Sequence, residues 1–205
     1  MKPGEFKTLR EGIGFCPVWI ARRAKVDAET ALMWDSGALA PPDELVAHLQ
    51  RVEAMIQQSV AEQVEWAVEA KKEAPGNSSA RSAQVLFAYR TDDDYWMDVP
   101  GASQFIPASH VEAKVFRVQN ELETRGIIST IVYLDILRFE EWLKENHKED
   151  SYISRCEWGI QENFGGDLEV QDLRGAGERS ILVRFFGNLL SLLTPPADRV
   201  QRGCG

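Results

Sequence analysis

The sequence predicts an α+β fold: a mainly antiparallel sheet, with a long helix over about 42–73 and a shorter one over about 136–147 packed on it. Three observations carry that expectation. A single apolar stripe recurs at three- and four-residue spacing from Leu45 to Val68. Short β-branched and aromatic runs separated by turn residues fill most of 83–193. The stretch Val111–Leu134, VEAKVFRVQNELETRGIISTIVYL, reads as two strands joined at Asn120-Glu121. Its second half, Ile127 to Leu134, is a nearly unbroken apolar run suited to a central strand covered on both faces.

Taken in order, residues 1–14 carry four glycines and prolines among charges and predict a loose start. Pro17–Ala21 and Thr30–Trp34 are short apolar runs, the second stopped by Asp35-Ser36-Gly37, and together predict a small hairpin. Pro41-Pro42-Asp43-Glu44 opens the long helix, with prolines before its first turn and acids where the dipole favours them. Leu45, Leu49, Val52, Ile56, Val60, Val64 and Val68 line one face, Lys71-Lys72 close it and Pro75-Gly76 end it. A polar linker over 76–82 precedes a strand over Gln84–Arg90, a turn at Thr91–Asp94 and a returning strand over Tyr95–Val99. After Leu134, Ile136, Phe139, Trp142 and Leu143 share a helical face, with Asp135 as N-cap and His147-Lys148 near the end. Ser151–Phe164, Asp167–Leu173 and Ser180–Phe186 read as three further strands, followed by an apolar segment at Leu189–Leu193. One alternative stays open: Ser109 and Glu112 match a capping box, so residues 109–125 could be a helix instead of strands.

At 205 residues the chain is expected to be one domain: a small irregular or hairpin segment (1–41), the long helix (42–74), a strand-rich core (83–193) and a flexible tail (194–205). Net charge of −9 argues against general nucleic-acid binding, which needs a basic footprint. No run approaches eighteen consecutive apolar residues, and the amino-terminal segment lacks the apolar core of a signal peptide. Cys16, Cys156 and Cys204 are far apart, at no metal-ligand spacing and with no disulfide framework, so a reducing, cytoplasmic setting is expected.

The sharpest chemical candidate is Asp98 at one strand end with Glu112-Ala113-Lys114 on the next. Acids across neighbouring strands bind divalent cations in metal-dependent nucleases, where a lysine helps orient the attacking water. Carboxylates flanking strands are also common as solvated surface. Asp92, Asp93 and Asp94 fit turn formation better than a cation loop, since the spaced ligands and distal glutamate are missing. Of the histidines, His48 lies mid-helix and His147 at a helix end, while His110 could orient something near Glu112. Ser109-His110 would point to opposite strand faces, so no catalytic triad is supported. Arg22, Arg23 and Lys25, together with Arg174, Arg179 and Arg184, are the basic concentrations, and if they converge they would contact phosphates. The six tryptophans fit core and interface anchors. Gly175-Ala176-Gly177 lacks the following glycine and helix of a phosphate loop. Neither a cofactor nor a bound metal is expected.

Four segments resemble a small accessory family found beside the RAMP subunits of type III-D CRISPR systems: AQVLFAYRTDDDYW (Ala83 to Trp96), EAKVFRVQNELETRGI (Glu112 to Ile127), CEWGI (Cys156 to Ile160) and ILVRFFG (Ile181 to Gly187). They cover about half the chain, and the first turn lacks the family's Asp-Gly. The resemblance implies a non-catalytic subunit of an RNA-guided antiviral complex, with no catalytic residues to carry over. The function expected on these grounds is that of an accessory interaction protein. It would dock to larger, basic protein subunits through an acidic, tryptophan-bearing surface and meet RNA only indirectly, away from any membrane. The competing expectation is the metal-dependent nuclease.

Overall fold

The computed structural model describes residues 2, 4–73, 84–99, 102 and 106–164. The first segment folds as α1 (Glu5–Gly12), α2 (Pro17–Ala24), α3 (Ala28–Ser36) and the long α4 (Asp43–Glu73). Then follow β1 (Gln84–Ala88), α5 (Asp92–Asp98), α6 (Ala108–Thr124), β2 (Ser129–Tyr133), α7 (Ile136–Glu145) and α8 (Tyr152–Phe164). The expected antiparallel sheet is not what forms. Among the described residues there is one two-stranded sheet, and β1 and β2 pair in parallel, Gln84 opposite Ser129 through Ala88 opposite Tyr133. A parallel pair needs a crossover rather than a tight turn, and α5 and α6 supply it.

Each misread strand has a local cause. Pro17–Ala21 is helical because Pro17 stands in the first turn of α2, and the Cys16 side chain accepts the Trp19 amide at 3.4 Å. Asp27 caps α3 by accepting the Thr30 amide at 2.6 Å. No hairpin exists in this segment. Tyr95–Val99 is not a returning strand. Thr91 accepts the Asp94 amide, and Asp92, Asp93 and Asp94 fill the first turn of α5, where the helix dipole favours acids.

The Val111–Leu134 stretch divides differently from the two-strand expectation. Residues 109–125 take the helical alternative, because Val111, Val115, Val118 and Leu122 recur at spacings of four, three and four and are all buried. Strand alternation also fits Val111 to Val115 and the exposed Phe116, but it puts Val118 on the same polar face, and Val118 is buried. The capping box does not form: Pro107 occupies the N-cap without a side-chain bond, and Asp92 accepts the Ala108 amide at 2.7 Å instead. Ser151–Phe164 is also helical, with Ser151 accepting the Ser154 amide. The expected strands at 167–173 and 180–186, the apolar segment at 189–193 and the tail at 194–205 lie outside the described residues.

Both expected helices are present, as α4 and α7. Over its 31 residues α4 runs about 46 Å. Its stripe of Leu49, Val52, Ile56, Val60 and Val64 is buried. The strands, α6, α4 and α1 pack in succession: α6 contacts both strands, α4 packs on α6, and α1 on α4, with α2 and α3 gathered against one another. On β2, α8 comes so close that a Cβ at Gly159 would lie 2.9 Å from Val132 Cγ1. One apolar core extends through these layers from Phe6 to Ile160.

Because Ile56 is enclosed, Ile56→Asp places an unpaired charge in the core and is expected to lower stability by about 4 kcal/mol or more. Urea unfolding followed by far-ultraviolet circular dichroism checks this. A midpoint within error of the parent would show that this face of α4 is not core.

Candidate functional site

The carboxyl ends of parallel strands are where α/β sheets place ligands, and here that region is occupied by an ion-pair network. Tyr89 directly follows β1 and donates its hydroxyl hydrogen bond to Asp98 at the end of α5. Arg155 of α8 grips the same carboxylate with two bonds of 2.7 Å and adds Asp150 through bonds of 2.8 and 2.7 Å. The guanidinium lies 5.5 Å from the centre of the Phe139 ring. With side chains 12% and 10% exposed, Arg155 and Asp98 are a largely desolvated, bidentate pair. Burial and then the Asp98 carboxylate push the Tyr89 phenol far above its ordinary value, so it remains a donor at any working pH. The network therefore ties α5, α8 and the end of β1 together.

Asp98, Glu112 and Lys114 are not presented on adjacent strands. Asp98 ends a helix, and Glu112 and Lys114 sit two residues apart on α6, about 200° around the helix axis from one another. Glu112 accepts the Tyr133 hydroxyl, whose pKa this bond raises. Arg90 lies over the Tyr133 ring, 5.1 Å from its centre. Lys114 is half-buried on the other side, and burial lowers its ammonium to about 8. Asp92 is a cap for α6 and Asp94 hydrogen-bonds Thr91. Among the described residues no group of three or more His, Cys, Asp and Glu side chains converges so as to hold a metal ion.

His110 is the histidine placed most tightly. Its Nδ1 lies 2.8 Å from the Ile13 carbonyl, Phe15 stacks on its ring at 5.3 Å, and Trp19 stacks on Phe15 at 3.9 Å. Around it Ser109 donates to the Gly14 carbonyl at 2.5 Å. Arg117 donates to the Gly12 carbonyl at 2.5 Å and forms a forked pair with Glu53 of α4 at 2.9 and 3.0 Å. Gly14 has a φ of 79°, and a Cβ there would lie 2.2 Å from the Ser109 carbonyl oxygen, so this approach requires glycine. Sequence reasoning missed Arg117 and Glu53, because their pairing depends on α6 being a helix beside α4. Placing Arg117 on α6 would have been the signal.

Of the basic residues, Arg22 and Lys25 are exposed at the end of α2, and Arg23 is half-buried. Arg174, Arg179 and Arg184 lie outside the described residues. A cation absent from the sequence reading joins the first group: Arg51 of α4, which with Arg23 adds to burial in lowering the pKa of His48. Five of the nine exposed large apolar side chains among the described residues fall in the same segment: Val18, Val26, Leu32, Met33 and Leu39. Helix α3 is apolar on two sides, burying Ala31 and Trp34 while leaving Leu32 and Met33 in solvent. None of the six tryptophans is exposed. Exposed apolar side chains thus concentrate in the segment 18–39, which also exposes Arg22, Lys25, Asp27 and Glu29, and not on a tryptophan-bearing face.

No known protein family and no curated protein matches the chain. Among the described residues no helix is long and apolar enough to cross a membrane.

Breaking the Asp98–Arg155 pair strands a carboxylate among Tyr89, Phe139 and the end of β1. Arg155→Met is expected to cost about 3 kcal/mol, and Arg155→Met with Asp98→Leu to recover part of it. Urea midpoints of the two variants give the comparison. A single variant as stable as the parent would show that the network carries no stability.

Proposed function

We propose that this protein acts by binding other proteins, as a non-catalytic accessory subunit of a larger assembly, through the outer side of α2 and α3. One observation carries this reading: five large apolar side chains lie in solvent on the 18–39 segment, among exposed charges of both signs, whereas the candidate catalytic acids Asp98 and Glu112 are engaged by Arg155 and Tyr133. An apolar centre with a charged rim is the make-up of a protein interface. Valine, leucine and methionine offer no stacking platform for bases, and a net charge of −9 opposes approach to a phosphate backbone. RNA would then be met only through the partner. The partner this surface fits presents an apolar patch with a rim of charges of both signs, complementary to Arg22, Lys25, Asp27 and Glu29.

The assembly we put forward is an RNA-guided type III effector in the cytoplasm. Its support is the first segment of the resemblance, where β1 runs into Asp92–Asp94 and Trp96. The segments beginning at Glu112 and Cys156 were matched as strands and are helices here, and the one beginning at Ile181 lies outside the described residues.

Affinity capture from the native host, with mass spectrometry and RNA sequencing of the eluate, tests the proposal. The tagged parent is expected to bring down a defined set of subunits. Leu32→Ser with Met33→Ser, or Arg22→Glu with Lys25→Glu, is expected to reduce recovery tenfold or more while shifting stability by no more than about 0.5 kcal/mol, as for other surface changes. Equal recovery by both variants would remove α2 and α3 as the docking surface. The purified chain is expected not to cleave DNA or RNA with Mg²⁺ or Mn²⁺. Cleavage that disappears in Glu112→Gln and Lys114→Ala would install the nuclease instead.

A further inference from the structure

We propose that the contact between His110 and Ile13 is an acid-released hook, in which proton uptake at His110 Nε2 frees the corner Gly12–Phe15, and with it α1–α3, from α6. The corner and α6 meet through three carbonyls, those of Gly12, Ile13 and Gly14, facing Arg117, His110 and Ser109. A carbonyl accepts only, so His110 carries its proton on Nδ1 and leaves a bare lone pair on Nε2. That atom is buried and has no hydrogen-bond partner. A proton arriving there from solvent creates an N–H donor and a positive charge with nothing to receive either.

On balance the surroundings oppose the imidazolium: burial, Lys114 and Arg117 disfavour it, against the Ile13 carbonyl and Glu53, which favour it. From α6, Lys114 and Arg117 are cations that act on the ring. From α4, Glu53 is the one anion acting on it, and both its oxygens are taken by Arg117. From the corner, His110 meets a carbonyl and the Phe15 ring. Arg10, which donates to the Phe15 carbonyl, is itself a cation paired with Asp35 at 2.7 Å. Burial is the largest effect, and the ring's pKa falls from 6.5 to about 4. Once undocked, the imidazole regains water and an ordinary pKa.

The sign follows from this difference. A group held neutral in the docked state and free to protonate in the open state stabilises docking above pH 6.5 and withdraws that support as pH falls to 4. Between the two values the docking equilibrium weakens by about 30-fold at pH 5 and levels off near 300-fold below pH 4. Carboxylates respond lower: Arg117 and Gln57 hold Glu53 below its ordinary value against burial, which raises it. The interval from pH 7 to pH 5 therefore sets the histidines apart from Glu53, and a non-titrating variant at 110 sets His110 apart from His48, whose value burial, Arg23 and Arg51 lower as well.

Hydrogen exchange of the full chain, corrected for the chemical pH dependence of the amide rate, measures opening of 5–36 relative to α4 and α6. The parent is expected to lose about 20-fold of protection in 5–36 between pH 7 and pH 5, with α4 and α6 little changed. His110→Gln keeps a donor for Ile13 and cannot titrate, so its protection there is expected to be flat across the same range. If this variant does not fold, the His110 ring is titrated in the parent by NMR, where a midpoint below pH 5 is expected. Equal loss of protection in the parent and His110→Gln, or a midpoint near 6.5, would overturn the hook.

Discussion

Helix α6 is packed from several directions at once, and the remaining architecture depends on how its faces are assigned. Val111, Val115, Val118 and Leu122 form its buried stripe, and it touches β1, β2 and α4. Its first turns carry Ser109 and His110, which hold the N-terminal corner, and one turn later Arg117 clamps Glu53 and Gly12 together. A helix used on this many sides has little freedom to rotate. Turning it by one residue, about 100°, would move Val115 out of the core and break the Arg117 fork in the same step. Apolar packing fixes its position, and the polar groups at its N-terminal half fix its rotation.

The two polar clusters do different work because their surroundings differ. Arg155 meets two carboxylates and a phenol donates to one of them, so its donors are satisfied and no cation is left without an anion. Such a pair is neutral or modest in net stability when intact and expensive when halved. That is the behaviour of a positional lock between α5, α8 and β1. At His110 the balance is incomplete: one nitrogen is used and the other is buried without a partner, among more cations than anions. Tyr89 and Arg155 of the first cluster are both held above their ordinary values, so neither gives up its proton through the neutral range. Mismatch makes the second responsive.

What was legible in the sequence follows from how long each pattern runs. The α4 stripe spans seven apolar positions, too many for another period to imitate, and α7 has Asp135 accepting the Arg138 amide as its cap. β1 was also legible, since Gln84–Ala88 is bounded by polar residues. The region 109–125 is β-branched enough to imitate a strand over five residues, and its helix declares itself only over the full interval from Val111 to Leu122. The short helices α2, α3 and α5 were unreadable by periodicity, because about two turns hold too few apolar positions. Their caps at Cys16, Asp27 and Thr91 were the available signal. Parallel pairing between β1 and β2 could not be read until α5 and α6 were known to be helices of a crossover. The candidate site failed with the strands: Asp98, Glu112 and Lys114 form a set only if α5 and α6 are extended chain.

The N-terminal helices combine features that a permanently buried element would not need. They expose Leu32 and Met33, they join α6 through carbonyls at a single corner, and the closest approach, at Gly14, tolerates no side chain. Water can replace each of the corner's hydrogen bonds on opening, whereas the buried Ile13 and Phe15 and the packing of α1 on α4 supply the apolar part of the attachment. Within the segment itself the links are stronger: Arg10 joins Asp35 across 25 residues, and Phe6 packs edge-on against Trp34 at 6.1 Å. An element that is internally braced and externally hooked can shift as a unit without unfolding.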